Sequence, residues 1–430
     1  MKAGMVLLFA ALIAAPVFAS SDDEPIRYST APLNDPIAKL QKKIDSGEVV
    51  LDYDHHFGLL KSVLKALNIP ASSQMLVFSK TSFQRALIGP QTPRALYYGD
   101  DVYVGKVLGS QVLEFSAVDP NLGAVYYTLL ETEKAKPVFK RQTDNCLQCH
   151  ESSMTENAPG HIVRSVFPDA DGQPILNAGT FRVNFESPLK ERWGGWYVTG
   201  KTGAQKHMGN VVSADREHPE KTDFTAGANV TDLKDFIEVS SYLTPHSDIA
   251  ALMVMEYQTR AQNLITRANY LTRITLRDEQ VMNKALNRPA NFRSESTLSR
   301  LRNACDPLVK ALLLADEAKL AEPVEGTSGF AKEFSALGPR DPKGRSLREL
   351  DLQHRLFRYP CGYVIYSEAI DALPKDALDY IYKRLWDILN KKDAVDAFPN
   401  LADADRTAIK EILIATKPGL PDYWRTGDAR

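Results

Sequence analysis

Four cysteines and eight histidines are spread over 430 residues, and three of them share one pentapeptide, Cys146-Leu147-Gln148-Cys149-His150. C-x-x-C-H is the pattern of covalent haem attachment. Two thiols separated by two residues add to the two vinyl groups of a haem, and the adjacent imidazole reaches the iron from one face. At this composition the pattern arises by chance roughly 0.0007 times in such a chain, so its presence is informative. Two other readings are weaker. Half of a zinc site lacks a second C-x-x-C or a spaced pair of histidines, and a thioredoxin-like redox pair lacks a surrounding βαβ pattern. The expected cofactor is one haem c per chain, held by Cys146 and Cys149, with His150 as the proximal iron ligand.

A six-coordinate haem iron needs a second axial ligand, usually Met or His. Lys206-His207-Met208-Gly209-Asn210 places both types in one predicted loop, and His161 follows a chain-turning Pro159-Gly160. Met208, His207 and His161 are therefore the distal candidates, and an empty position is the alternative. Met154 is too close in sequence to reach the opposite face, and His55 and His56 sit at a helix start, where solvation explains them. Haem propionates want cationic or N–H partners. Arg164 and Arg182, on predicted strands just after the motif, are the candidates, while Trp193 and Trp196 read as core packing.

Cys305 and Cys361 remain once the motif is accounted for, and in an oxidising compartment they form a disulfide candidate. The competing reading is two separate buried thiols. Glu256, Tyr257, Arg260, Asn263, Arg267, Asn269 and Tyr270 read as a solvated helix face with inter-helix hydrogen bonds, in preference to the lining of a cleft beside the haem. HExxH, GxSxG, P-loop and dinucleotide fingerprints are all missing.

The elements that must position these residues follow from pattern. A hydrophobic fraction of 44%, a charged fraction of 25% and a net charge of −2 are ordinary globular values. They exclude a basic field for nucleic acid. Lys2, an apolar run from Met5 to Ala15 and the small-residue pattern ending at Ala19 read as a signal peptide over residues 1–19 and point to the periplasm. That run would rise only about 16 Å as a helix, and no later stretch approaches a membrane span.

Asp35-Pro36 starts a helical region that reaches about Asn68, with a break near Gly47. Leu76–Phe78, Ala95–Tyr98, Val102–Val104 and Val125–Tyr127 read as strands, and so do 162–167, 181–185 and 193–198. Residues 200–230 read as a long loop. Helices are then predicted from Thr244-Pro245 to about Leu276 and over 297–320, 375–391 and 403–416. The class is α+β: a strand-rich, mixed haem-binding region over 20–225 and a mainly helical region over 226–430, either two domains or one continuous body.

With the motif in place, the chain resembles c-type cytochromes. Longer stretches are similar to an uncharacterised group of exported bacterial single-CxxCH proteins of similar length: 76–105, 178–185, 192–200 with His207-Met208-Gly209-Asn210, 247–270, 358–374 and 417–424. The resemblance spans nearly all of the chain after residue 19 and implies haem binding and electron transfer with a redox partner protein. It implies no substrate. In small cytochromes c the motif lies near the start of a helical domain of about a hundred residues, whereas here it follows more than a hundred strand-rich residues. The surplus length keeps two alternatives in play: a haem-dependent oxidoreductase, peroxidase-like or acting on a small molecule at an open distal site, and a haem-based sensor or interaction subunit.

Overall fold

The computed structural model describes residues 21–133, 135–392, 398–399 and 401–427. The expected signal peptide lies outside the described residues. Two short helices, α1 (Pro36–Asp45) and α2 (Leu60–Ala66), precede the sheet. The Asp35 carboxylate accepts from the backbone N–H groups of Ile37 and Ala38, and Pro36 occupies the first helical position, as the sequence pattern predicts.

The chain then builds β1 (Met75–Val77), β2 (Arg94–Tyr98), β3 (Val102–Lys106), β4 (Val112–Asp119), β5 (Gly123–Leu130) and β6 (Phe139–Gln142). After the four-residue helix α3 (Leu147–His150) come β7 (Arg164–Val166), β8 (Thr180–Arg182), β9 (Trp196–Tyr197) and β10 (Gly200–Lys201). The main sheet has seven strands in the order β6-β5-β4-β3-β2-β1-β9. Each of its pairings is antiparallel. Successive strand residues face opposite ways. Val104, Phe115, Tyr127, Leu129 and Phe139 therefore pack with α1 and α2 in one apolar cluster. Tyr103, Glu114, Ser116 and Tyr126 alternate with them and face the other side.

That second face meets α4 (Ile249–Ala285), a helix of 37 residues. It begins later than Thr244-Pro245 predicts. Asp248 is the N-cap because its Oδ1 accepts from Ala250 and Ala251, while its Oδ2 accepts from the backbone of Thr327 and Ser328. The rest of the helical half is α5 (Glu295–Leu312), α6 (Phe330–Ala336), α7 (Glu368–Asp371), α8 (Lys375–Leu389), α9 (Asp403–Thr416) and α10 (Tyr423–Thr426). A short strand, β11 (Glu325–Gly326), pairs with β10.

The second apolar cluster includes Met75, Tyr98, Trp193 and Trp196 together with α4, α5, α8 and α9. The chain is thus an α+β protein, strand-rich first and helical afterwards. Most of the polar residues predicted to form a solvated face of α4 are buried, Glu256 and Tyr257 at 0%, Asn269 at 1% and Asn263 at 3% exposure, while Arg260 and Arg267 are half-buried. Glu256 and Asn263 bond the strand-rich half, at Arg192 and at the backbone of His161, whereas Tyr257 packs on Phe357 and Tyr363 and Arg267 donates to the backbone of α5. Among the described residues no helix is long and apolar enough to cross a membrane.

Candidate haem-attachment site

Asp144 to Glu151 closes a single helical turn. Cys149 N–H and His150 N–H both donate to Cys146 O, and Glu151 N–H donates to Leu147 O. Residues three apart on a helix lie on one side, so Cys146 and Cys149 share a face next to His150. Cys149 is exposed and Cys146 half-buried, and no disulfide joins them. Burial pushes the Cys146 thiol up to about 11. A thiol–disulfide redox pair uses a shift in the opposite direction, towards a thiolate at neutral pH.

His150 is held by the segment that follows it. Its Nδ1 lies 3.0 Å from the backbone carbonyl of Gly160, and Gly160 N–H donates back to His150 O at 2.9 Å. A carbonyl only accepts, so Nδ1 carries the hydrogen and Nε2 is the lone-pair nitrogen. Nε2 makes no hydrogen bond among the described residues. Burial lowers the imidazole's pKa, which keeps the ring neutral. A second donor reaches the same carbonyl: Tyr126 of β5 donates its hydroxyl to Gly160 O, and its ring lies 4.9 Å from that of His150.

Gly160 is placed by α4. Asn263 Oδ1 accepts from His161 N–H at 2.8 Å, and Asn263 Nδ2 donates to His161 O at 2.7 Å. A Cβ at position 160 would sit 2.4 Å from Asn263 Oδ1, so only glycine allows this clamp. The His161 ring is 9% exposed, its Nε2 lies 2.7 Å from Ser116 Oγ, and its Nδ1 is buried without a partner. Burial pushes its pKa down to about 3.

The charged groups near His150 are Arg94, Arg164 and Glu114. Arg94 and Glu114 also influence Cys146. They pair across β3, N to O at 2.7 Å, with the guanidinium lying over Gly105, where a Cβ would fall 2.6 Å from Nη2. Gln84 Nε2 donates to Glu114 Oε1 at 3.0 Å. The loop carrying Gln84 also presents Phe83, 80% exposed, and it bonds the loop carrying Leu176, 86% exposed, through Lys80 N–H and Gly172 O.

The other predicted site residues divide. Arg164 and Arg182 face one another across the β7–β8 ribbon. Arg182 is taken up by Glu156 at 2.8 Å. Burial would raise the Glu156 carboxyl, but Arg182 and Arg260 hold it below its usual range. Arg164 makes only a 3.9 Å contact to Met154 Sδ and keeps most of its donors.

Met208 is 2% exposed and packs behind β7, where Ser165 Oγ–H donates to its Sδ at 3.4 Å. Ser165 and Arg164 are adjacent on a strand, so Met208 and the Arg164 side chain lie on opposite faces. His207, also 2% exposed, packs edge-on to Trp193, and its Nδ1 accepts from Gly209 N–H. Burial lowers its pKa to about 4. Met208, His207 and His161 are thus all committed to internal packing.

Cys305 and Cys361 do not form the expected disulfide; they are separate buried thiols, each pushed up to about 12 by burial. Cys305 is on α5 beside Thr272 of α4, whereas Cys361 packs near Tyr257. Tyr126, Arg94 and Glu114 escape sequence reading as parts of this site, and Asn263, weighed there as a cleft residue, reads as part of a solvated face instead. The one available signal was Pro159-Gly160, a turn close behind the motif. Among the described residues no group of three or more His, Cys, Asp and Glu is placed to hold a metal ion. No protein-family model, curated protein or solved structure matches the chain.

Proposed function

We propose that the chain is an exported, periplasmic mono-haem c-type protein that transfers electrons to or from a redox partner protein. One observation carries the reading. The turn that holds both thiols also holds an imidazole whose Nδ1 is fixed by the Gly160 carbonyl, leaving Nε2 free of other bonds. Iron-ligating histidines are typically oriented in this way, through a carbonyl on the second ring nitrogen. In this reading Cys146 and Cys149 form the thioethers, His150 is the iron ligand and Arg164 is the available propionate partner. When bound, the haem supplies one-electron chemistry. The protein's part is to orient His150 and to exclude water with the sheet face. A haem stain that survives a denaturing gel, with a c-type α band in the reduced protein, is the expected result. No stain in the exported protein overturns the reading.

A second reading, a haem-dependent oxidoreductase or sensor with an open distal position, is favoured by the packing of Met208, His207 and His161, each engaged elsewhere. Rapid CO binding by the reduced protein, with no slow ligand-displacement phase, supports it. Slow or absent CO binding favours the pure electron carrier.

A further inference from the structure

We infer that Tyr126 sets the reduction potential of the site by competing with His150 for the Gly160 carbonyl. The inference rests on the haem reading above and goes beyond it, because it assigns a role to a residue outside the motif. Gly160 O receives two donors, His150 Nδ1–H at 3.0 Å and the Tyr126 hydroxyl. Two donors on one carbonyl share its electron density, so each bond is weaker than it would be alone. The strength of the Nδ1–H bond sets how basic Nε2 is towards a metal. A stronger bond gives the imidazole more anionic character, which favours the oxidised metal. The Tyr126 hydroxyl therefore holds His150 towards the neutral end and favours the reduced state.

The geometry is built to persist. Tyr126 is 5% exposed, its ring lies against that of His150, and Ser116 opposes it on β4. Asn263 fixes the backbone on the far side of Gly160. Tyr126 is a positioning residue that touches neither the thiols nor the imidazole nitrogens.

The test replaces Tyr126→Phe, which keeps the ring on His150 and removes only the hydroxyl. Tyr103→Phe is the control: Tyr103 is also a buried tyrosine on this face and packs on His161, but it donates to Gln262 Oε1 and not to Gly160. In the haem-loaded protein the Tyr126→Phe potential shifts negative. The ferrous-to-ferric ratio at a fixed ambient potential falls by about two- to threefold, the scale of a part of one hydrogen bond. The ferrous iron–histidine stretching frequency rises, and the control moves neither quantity. An unmoved potential in Tyr126→Phe, or an equal shift in Tyr103→Phe, overturns the inference.

If Tyr126→Phe yields no folded protein, site-specific 3-fluorotyrosine at 126 makes the hydroxyl a stronger donor. The potential then shifts positive, and a negative shift or none overturns the inference. Failure of the underlying reading is distinguishable, since the wild-type protein would then carry no covalent haem.

Discussion

Asn263→Leu tests whether the long helix α4 holds the segment behind His150. The substitution keeps the side-chain size and removes one acceptor and one donor. Both belong to the 2.8 and 2.7 Å bonds with the backbone of His161, at a position 3% exposed. The His161 N–H and C=O are then left buried and unpaired, each at about 1–3 kcal/mol. The combined loss is about 2–6 kcal/mol, less whatever leucine regains as an apolar residue in the same space. That is a large part of a typical folding free energy of about 5–15 kcal/mol. Urea unfolding followed by tryptophan fluorescence reads it as a lower midpoint at unchanged slope. A loss below about 1 kcal/mol would refute the clamp. It would mean that the two backbone groups find water or another partner, and that α4 does not position Gly160.

Three further outcomes concern the cysteines and one buried carboxyl. Cys146→Ala with Cys149→Ala abolishes the haem stain on a denaturing gel, while either single change leaves one thioether and a stained band. Cys305 and Cys361 stay unlabelled by iodoacetamide in the folded protein and both label after unfolding without reductant; failure to label then would signal a disulfide. Glu317 accepts from Leu356 N–H, and burial raises its pKa to about 7, above its unfolded value of 4.5. The stability tied to its protonated form is complete below about pH 4.5 and is lost as pH rises through 7. Glu317→Gln is therefore expected to flatten the stability profile across that window, and chemical denaturation at a series of pH values checks it.

Much of the architecture was legible because it rests on local rules. Asp35-Pro36 capped a helix as its types require, the alternating aromatic runs became adjacent antiparallel strands, and residues 403–416 are helical as the pattern predicts. The start of α4 lies four residues beyond the Thr244-Pro245 signal, at the Asp248 cap. Asp248 took the cap through bonds to residues 327 and 328, which no local window contains. The polar stripe of α4 was misread for a related reason. Glu256 reads as solvated, yet it pairs with Arg192 at 2.8 Å inside the core. At the site, the thiols and His150 were explicit, whereas Tyr126 and Asn263 hold the backbone of Gly160 and His161. A main-chain oxygen leaves no residue type to recognise.

The Asn263 clamp carries a consequence for the order of assembly. It joins residues 102 positions apart, so the chain is made well past the motif before its support exists. Synthesis proceeds from the N-terminus, and early segments wait for later ones. During that interval the residues around Cys146 and Cys149 are unbraced and, in the haem reading proposed above, open to attachment. Arrival of α4 then ends the interval, so in that reading attachment has a deadline written into the length of the chain.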